Sequence, residues 1–238
     1  FRSHKILVFY IVVLFAGILL NVFSFCIFIS SEPNGLKLSA REFTASDGRD
    51  LEYKLLHSGD EHRITFNAHI KKEDLDLPGQ GDYALLLFQL NGQAFSVSFN
   101  GRYIGSVGDV ENGNSNIWNS INYFYFDSLD VKEDNVLSID MLCLYDCGLS
   151  SKPAYILRSS ALNRYIGFAR IFTEGINIMG LGFSVFACVI VLMLYLISSP
   201  KKSSFLFFSL ALFLLGCYTI DFTTVYHLPI GYLLYKKL

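Results

Sequence analysis

Two kinds of hydrophobic pattern divide this sequence. From Ile6 to Ile29 no charged residue interrupts an apolar run of 24 residues. As a helix that run would rise about 36 Å, enough to cross a hydrocarbon core of about 30 Å. A second run spans Ile171 to Ile197, with Glu174 near its start, and a third begins at Ser203 and reaches about Val225. Tyr232 to Leu238 reads as the opening of a further helix, from about residue 230, after the turn at His227-Leu228-Pro229.

Between Leu51 and about Ser160 the period changes to two. Ile64, Phe66, Ala68 and Ile70 alternate with Thr65, Asn67 and His69; Phe95, Val97 and Phe99 alternate with Ser96 and Ser98; Leu137, Ile139, Met141 and Cys143 repeat the pattern. Such alternation marks strands with one buried face. Tyr83 to Leu90 is more continuously apolar, as a central strand would be. Pro78-Gly79-Gln80-Gly81, Asn91-Gly92, Asn100-Gly101 and Asn112-Gly113-Asn114 punctuate the runs, and Asn-Gly supplies the positive φ that tight hairpins need. Short strands with regular turns predict an all-β antiparallel sandwich or jelly roll, and no helix of amphipathic period stands out inside it. The expected organisation is an N-terminal transmembrane anchor over 1–30, a β-sandwich over 31–168 and the start of a helix bundle over 169–238, with helices at about 171–197 and 203–225.

Composition fits a chain divided between lipid and water. Hydrophobic residues make up 52%, yet charged residues are still 17%. A net charge of −2 offers no basic patch, so nucleic acid is not an expected partner. The chain opens on Phe1 and stops as a new apolar run begins, and it reads as a piece of a longer protein. A cleavable signal peptide is the alternative to the anchor, but its apolar stretch is usually about 7–15 residues, and no small-x-small site stands near Ser30-Ser31. Arg2 and Lys5 before the first run, and Lys201-Lys202 in the short turn Ser198–Ser203, mark cytoplasmic ends. Residues 31–170 are thereby expected outside a cytoplasmic (inner) membrane that the chain crosses several times. Arg158, Arg164 and Arg170 at the outer end of the second run oppose this, but long translocated domains largely escape the charge rule. Gly175, Gly180 and Gly182 suggest close helix packing in the outer half of that run.

The segment Ser96-Val97-Ser98-Phe99-Asn100-Gly101-Arg102-Tyr103-Ile104-Gly105-Ser106 resembles the strand, Asn-Gly, x-x-Ile-Gly element of galactose-binding-like jelly rolls, and Asp134-Asn135-Val136-Leu137-Ser138-Ile139 resembles their later x-Asn-x-Leu-x-Ile strand. A jelly roll followed by transmembrane helices is similar to the bacterial seven-transmembrane receptors with diverse intracellular signalling modules. The resemblance covers about Leu51 to Phe222. It implies an outer domain that senses a small-molecule or carbohydrate ligand, a bundle that relays the signal, a homodimer, and an output domain such as a histidine kinase or diguanylate cyclase that this sequence does not contain. A membrane-tethered carbohydrate-binding enzyme and a subunit of a transporter or envelope complex are the competing functions.

Few residues offer chemistry. Trp118, with Asn116 beside it and Arg102 on a neighbouring hairpin, is the candidate ligand-binding set, because an aromatic face flanked by amides suits a sugar. The plainer alternative makes Trp118 a cap on the end of the sandwich. Cys143 and Cys147 stand outside the apolar runs, and three intervening residues allow a disulfide; a buried free Cys143 and metal binding are the alternatives. No second ligand pair has zinc spacing, and His62 and His69 fall on opposite faces of a strand, so no metal is expected. Cys26, Cys188 and Cys217 read as small hydrophobes. Asp221 falls near the membrane interface, and Arg170 and Glu174 stand at the i,i+4 spacing of a helical ion pair. No Ser-His-Asp arrangement, phosphate loop or paired carboxylates appear, so no catalytic residue and no cofactor is expected in this stretch.

Overall fold

The structure, a computed structural model, describes residues 32–46, 48, 62–144, 147–149 and 154–235. The chain divides into two compact units, Phe1–Pro33 and Asn34–Leu238. The apolar run Ile6–Ile29, and with it the choice between anchor and signal peptide, lies outside the described residues.

In the second unit the described residues form two antiparallel sheets. One has the order β1 (Leu36–Leu38), β9 (Ala154–Arg158), β4 (Tyr83–Leu87), β7 (Asn122–Phe126). The other has the order β2 (Phe43–Ala45), β3 (His62–Lys71), β8 (Asp134–Cys143), β5 (Ala94–Phe99), β6 (Arg102–Val107). The alternating residues read from the sequence meet between the sheets: Phe66, Phe95, Val97, Phe99, Leu137, Ile139 and Met141 of one face Leu85, Leu87, Phe126 and Ile156 of the other, and all are buried. The Phe99 ring stacks on Phe126 with centroids 4.3 Å apart. Each such side chain contributes about 1.5–3 kcal/mol by leaving water.

Hairpin chemistry holds at one Asn-Gly and not at another. Asn100 and Gly101 take φ of 52° and 80° and turn β5 into β6. Asn100 also donates to Asp130 O at 2.8 Å and to Asn135 Oδ1 at 2.9 Å, which pins the hairpin to the start of β8. Asn91-Gly92 makes no hairpin; Asn91 forms an antiparallel bridge with Gly148. Cys143, the last residue of β8, and Cys147 are joined as a disulfide with Cα atoms 5.3 Å apart, both side chains buried.

The continuous apolar stretch of β4 reflects burial on both faces. Tyr83, Leu85 and Leu87 face the sandwich core, while Ala84 and Leu86, with Tyr155 and Leu157 of β9, lie on the other side of the sheet and are also buried. A helix, α1 (Ser159–Arg170), packs on β4 and β9. Leu162 and Ala169 are fully buried, and Tyr165 meets Phe88 edge-on at 6.2 Å. The sandwich therefore ends at Arg158, not near residue 168, and the helix begins at Ser159, twelve residues before Ile171. Leu162, Tyr165, Ile166 and Ala169 carry the i, i+3, i+4, i+7 spacing of an amphipathic helix, which Asn163, Arg164, Gly167 and Phe168 between them obscure.

From α1 the chain runs through a π turn (Ile171–Gly175) into α2 (Ile176–Ile197), then returns as α3 (Ser203–Ile220); one further helical turn, α4, covers Tyr232–Tyr235. Thr173–Ile197, 25 residues of mean hydropathy 2.5, and Ser203–Ile220, 18 residues of mean hydropathy 1.9, are long and apolar enough to cross a membrane. Their lengths along the axis are about 37 and 27 Å. The close approach between α2 and α3 uses residues other than the expected glycines. A Cβ on Gly216 would sit 3.7 Å from Ser184 Cβ, and Ser209 donates to Cys188 O at 3.1 Å. Nothing among the described residues lies within 4 Å of where a Cβ on Gly180 or Gly182 would sit. Small residues do make the seam, but the seam lies on a different face of α2.

Candidate functional site

α3 stops at Ile220 and not near Val225, and the reason lies in the sandwich. A helix ends with four carbonyls lacking intrahelical partners. Thr219 O and Ile220 O accept from Phe222 N and Thr223 N, and the carbonyls just past the helix take their donors from the loop between β6 and β7. Asp109 accepts from the backbone N–H of Glu111 at 3.2 Å and of Asn112 at 3.1 Å, which bends the chain; these bonds, led by that of Asn112, hold its carboxyl below the usual range. Ser115, fully buried, accepts from Asp109 N and donates to Gln93 O. The next residues then point at the segment following α3.

Asn116 and Val225 form a two-bond antiparallel bridge, with N···O distances of 2.7 and 2.8 Å. The Asn116 amide donates to Asp221 O at 2.9 Å and Thr223 O at 3.0 Å. The Trp118 indole N–H donates to Asp221 O at 3.0 Å, and its ring meets Phe222 edge-on with centroids 5.5 Å apart. Asn119 donates to Thr173 O at 2.9 Å and Phe222 O at 3.1 Å, and accepts from Gln89 at 2.6 Å. Asn114 extends the seam, its backbone O accepting from Leu228 N at 2.7 Å and its side chain from Tyr232 N at 3.1 Å. Three consecutive carbonyls, those of Asp221, Phe222 and Thr223, are thus capped from one sandwich loop.

The π turn supplies the other half of the joint. Widening the helical turn changes the i→i−4 ladder, and Thr173 O within it accepts from side chains. Asn119 from the loop and Asn177 from the first turn of α2, at 2.7 Å, take it up. The same widening removes the expected Arg170–Glu174 contact: these two do not form an ion pair, because the i,i+4 alignment belongs to the α-helical period and not to the π turn between them. Arg170 instead lies over the Tyr123 ring at 5.1 Å. Arg170 Nε, Glu174 Oε1, Asn116 Oδ1 and Thr224 Oγ1 are buried and make no hydrogen bond. Burial first, then the Glu174 charge, pushes the Tyr226 hydroxyl above its ordinary value, and Arg170 opposes them.

The candidate ligand residues separate in space. Asn116 and Trp118 converge on Asp221 O, inside the joint. Arg102 belongs to the β5–β6 hairpin, where its Nη1 lies 2.9 and 2.8 Å from the two Asp130 carboxylate oxygens in an exposed ion pair worth about 1 kcal/mol or less. Asn119, Thr173 and Asn177 were not singled out in the sequence. The crowding of Asn112, Asn114, Asn116 and Asn119 within one loop is the signal that points to this segment. Among the described residues, no group of three or more His, Cys, Asp or Glu side chains is arranged to hold a metal. The chain matches no protein-family model and no curated protein. What fold and site define is a β-sandwich joined by a polar seam to two helices of membrane-spanning length.

Proposed function

We propose that this chain is the input region of a multi-pass membrane receptor, with the sandwich outside the cytoplasmic membrane and the joint as the element that passes its movement to the helices. The observation that carries the proposal is the double attachment of the sandwich. β9 runs through α1 and the π turn into α2, and the Asn114–Asn119 loop grips the residues that follow α3. A tilt of the sandwich against one helix would then also shift it against the other, since it is attached to both. A ligand would drive such a shift only through different affinities for the two arrangements.

The strand orders support the jelly-roll and galactose-binding-like reading. With the short β2 set aside, the first, eighth, third and sixth strands form one sheet and the second, seventh, fourth and fifth the other. That is the interleaving produced by folding a long antiparallel ribbon over on itself. In this reading the ligand is a carbohydrate or other small molecule bound away from Trp118 and Asn116, the partner chain is a second copy, and a histidine kinase or diguanylate cyclase follows the bundle.

Cysteine substitution with a membrane-impermeant maleimide tests the orientation. In intact cells, Asn112→Cys and Lys132→Cys should label at once and Lys201→Cys only after permeabilisation. The reverse pattern overturns the reading. A panel of soluble oligosaccharides should contain one that raises the melting temperature of the full chain.

A further inference from the structure

The π turn is held by bonds that a continuous α-helix would not need. Ile176 N–H donates to Ile171 O, one residue further back than the α-helical ladder reaches. The Thr173 hydroxyl donates to Ala169 O at 3.1 Å, and Thr173 O accepts from Asn119 at 2.9 Å and from Asn177 at 2.7 Å. Thr173 and Asn177 belong to the helical segment itself; Asn119 alone of the three comes from the sandwich. Arg170 Nε and Glu174 Oε1, at the two ends of the turn, are buried without a hydrogen bond. Residues four apart in an α-helix are neighbours, with Cβ atoms about 5–6 Å apart. Wound as an α-helix, the same residues would set Arg170 beside Glu174, and Arg170 would give up its place over the Tyr123 ring.

We infer that the π turn is a two-state element latched by Asn119. When the sandwich loop releases Thr173 O, Ile171–Gly175 winds into an α-helix and Arg170 pairs with Glu174. Absorbing the extra residue of the wide turn rotates α2 by roughly a quarter of a revolution, one residue of a turn of about 3.6. The loop opposes that rotation at a second point. α2 is bonded to α3 through Cys188 and Ser209, and the loop holds the carbonyls of Asp221, Phe222 and Thr223 beyond α3. Two arrangements of one short segment, biased by contacts from the sandwich, are what a relay needs. The switch names the moving element of the proposed receptor and rests on that reading only for its role in signalling.

Relaxation-dispersion NMR of the full chain in detergent micelles, following the amides of Ile171 to Ile176, tests it. Asn119→Ala should raise the population of a second state about tenfold, the worth of one bond to a buried carbonyl, and that state should have the carbon shifts of an α-helix. Thr173→Val removes the hydroxyl from Ala169 O, keeps the side-chain shape and should act in the same direction, so the test does not depend on one variant folding. In the Asn119→Ala chain, Glu174→Gln should lower the population again. Exchanging the charges, Arg170→Glu with Glu174→Arg, should restore it, since the acidic residue then precedes the basic one, the better order in a helix. No second state in Asn119→Ala or Thr173→Val, or one indifferent to Glu174→Gln, overturns the inference. The maleimide labelling that tests the receptor reading has no bearing on this outcome, so the two can fail separately.

Discussion

Asn119 of the sandwich and Asn177 of α2 donate to the same two carbonyls. Asn119 lies 2.9 Å from Thr173 O and 3.1 Å from Phe222 O; Asn177 lies 2.7 and 3.2 Å from the same atoms. Each amide NH2 has two hydrogens and each carbonyl two lone pairs, so the four groups satisfy one another. The bonds sit where little water competes, which strengthens each and raises the cost of losing one. This square ties the sandwich, the π turn and the end of α3 at one point.

Asn119→Ala should destabilise the full chain in detergent by about 1–3 kcal/mol, the cost of partly orphaning two buried carbonyls. The amide of Val225, which bonds Asn116 O at 2.8 Å, should exchange faster with solvent. A double-mutant cycle with Asn177→Ala should give coupling of about 0.5–3 kcal/mol. Additive effects would mean that the two amides act separately.

Trp118 is the single tryptophan, so its fluorescence reports on the joint. Trp118→Phe keeps a ring against Phe222 and removes the N–H that caps Asp221 O. The melting temperature should fall by a few degrees, for a loss of about 1 kcal/mol. A ligand-stacking role alone would leave the unliganded melting temperature unchanged.

Leu162→Ala should cost about 2–5 kcal/mol by opening a cavity between α1 and the four-stranded sheet. Limited proteolysis near Ser159 should become faster. A cost below 1 kcal/mol would show that α1 is not held on the sheet.

Replacing Cys143 and Cys147 together by serine should lower stability by about 2 kcal/mol, as a short closed loop implies. Alkylation mass spectrometry of the denatured, unreduced wild type should leave both thiols unmodified. Modification of either without reductant would contradict the bridge.

The Asp109 carboxyl should titrate below its ordinary value of 3.8, and NMR of its side-chain carbon can follow it. The depressed value means that the loop's stabilisation is present above the ordinary value and is lost as pH falls through the lower, folded one. Asp109 is only partly buried, so the effect on global stability is small. Asn112→Pro deletes the leading N–H donor and should return the midpoint toward 3.8.

The local period of the sequence determined the strands and the two long apolar helices. Ile64 to Ile70, Phe95 to Phe99 and Leu137 to Cys143 bury one face as strands, because alternation is set by residues within a few positions of one another, whereas Asn100-Gly101 makes a hairpin and Asn91-Gly92 does not. The tertiary structure alone decided the joint. Asn119 lies 54 residues from Thr173, and Asn116 lies 107 from Thr223. A side-chain amide has no local pattern that says which distant carbonyl it will meet. The same holds for Arg170 and Glu174, whose spacing predicts a pair in an α-helix; the π turn that separates them follows from where α1 lies on the sheet and where Asn119 takes the Thr173 carbonyl.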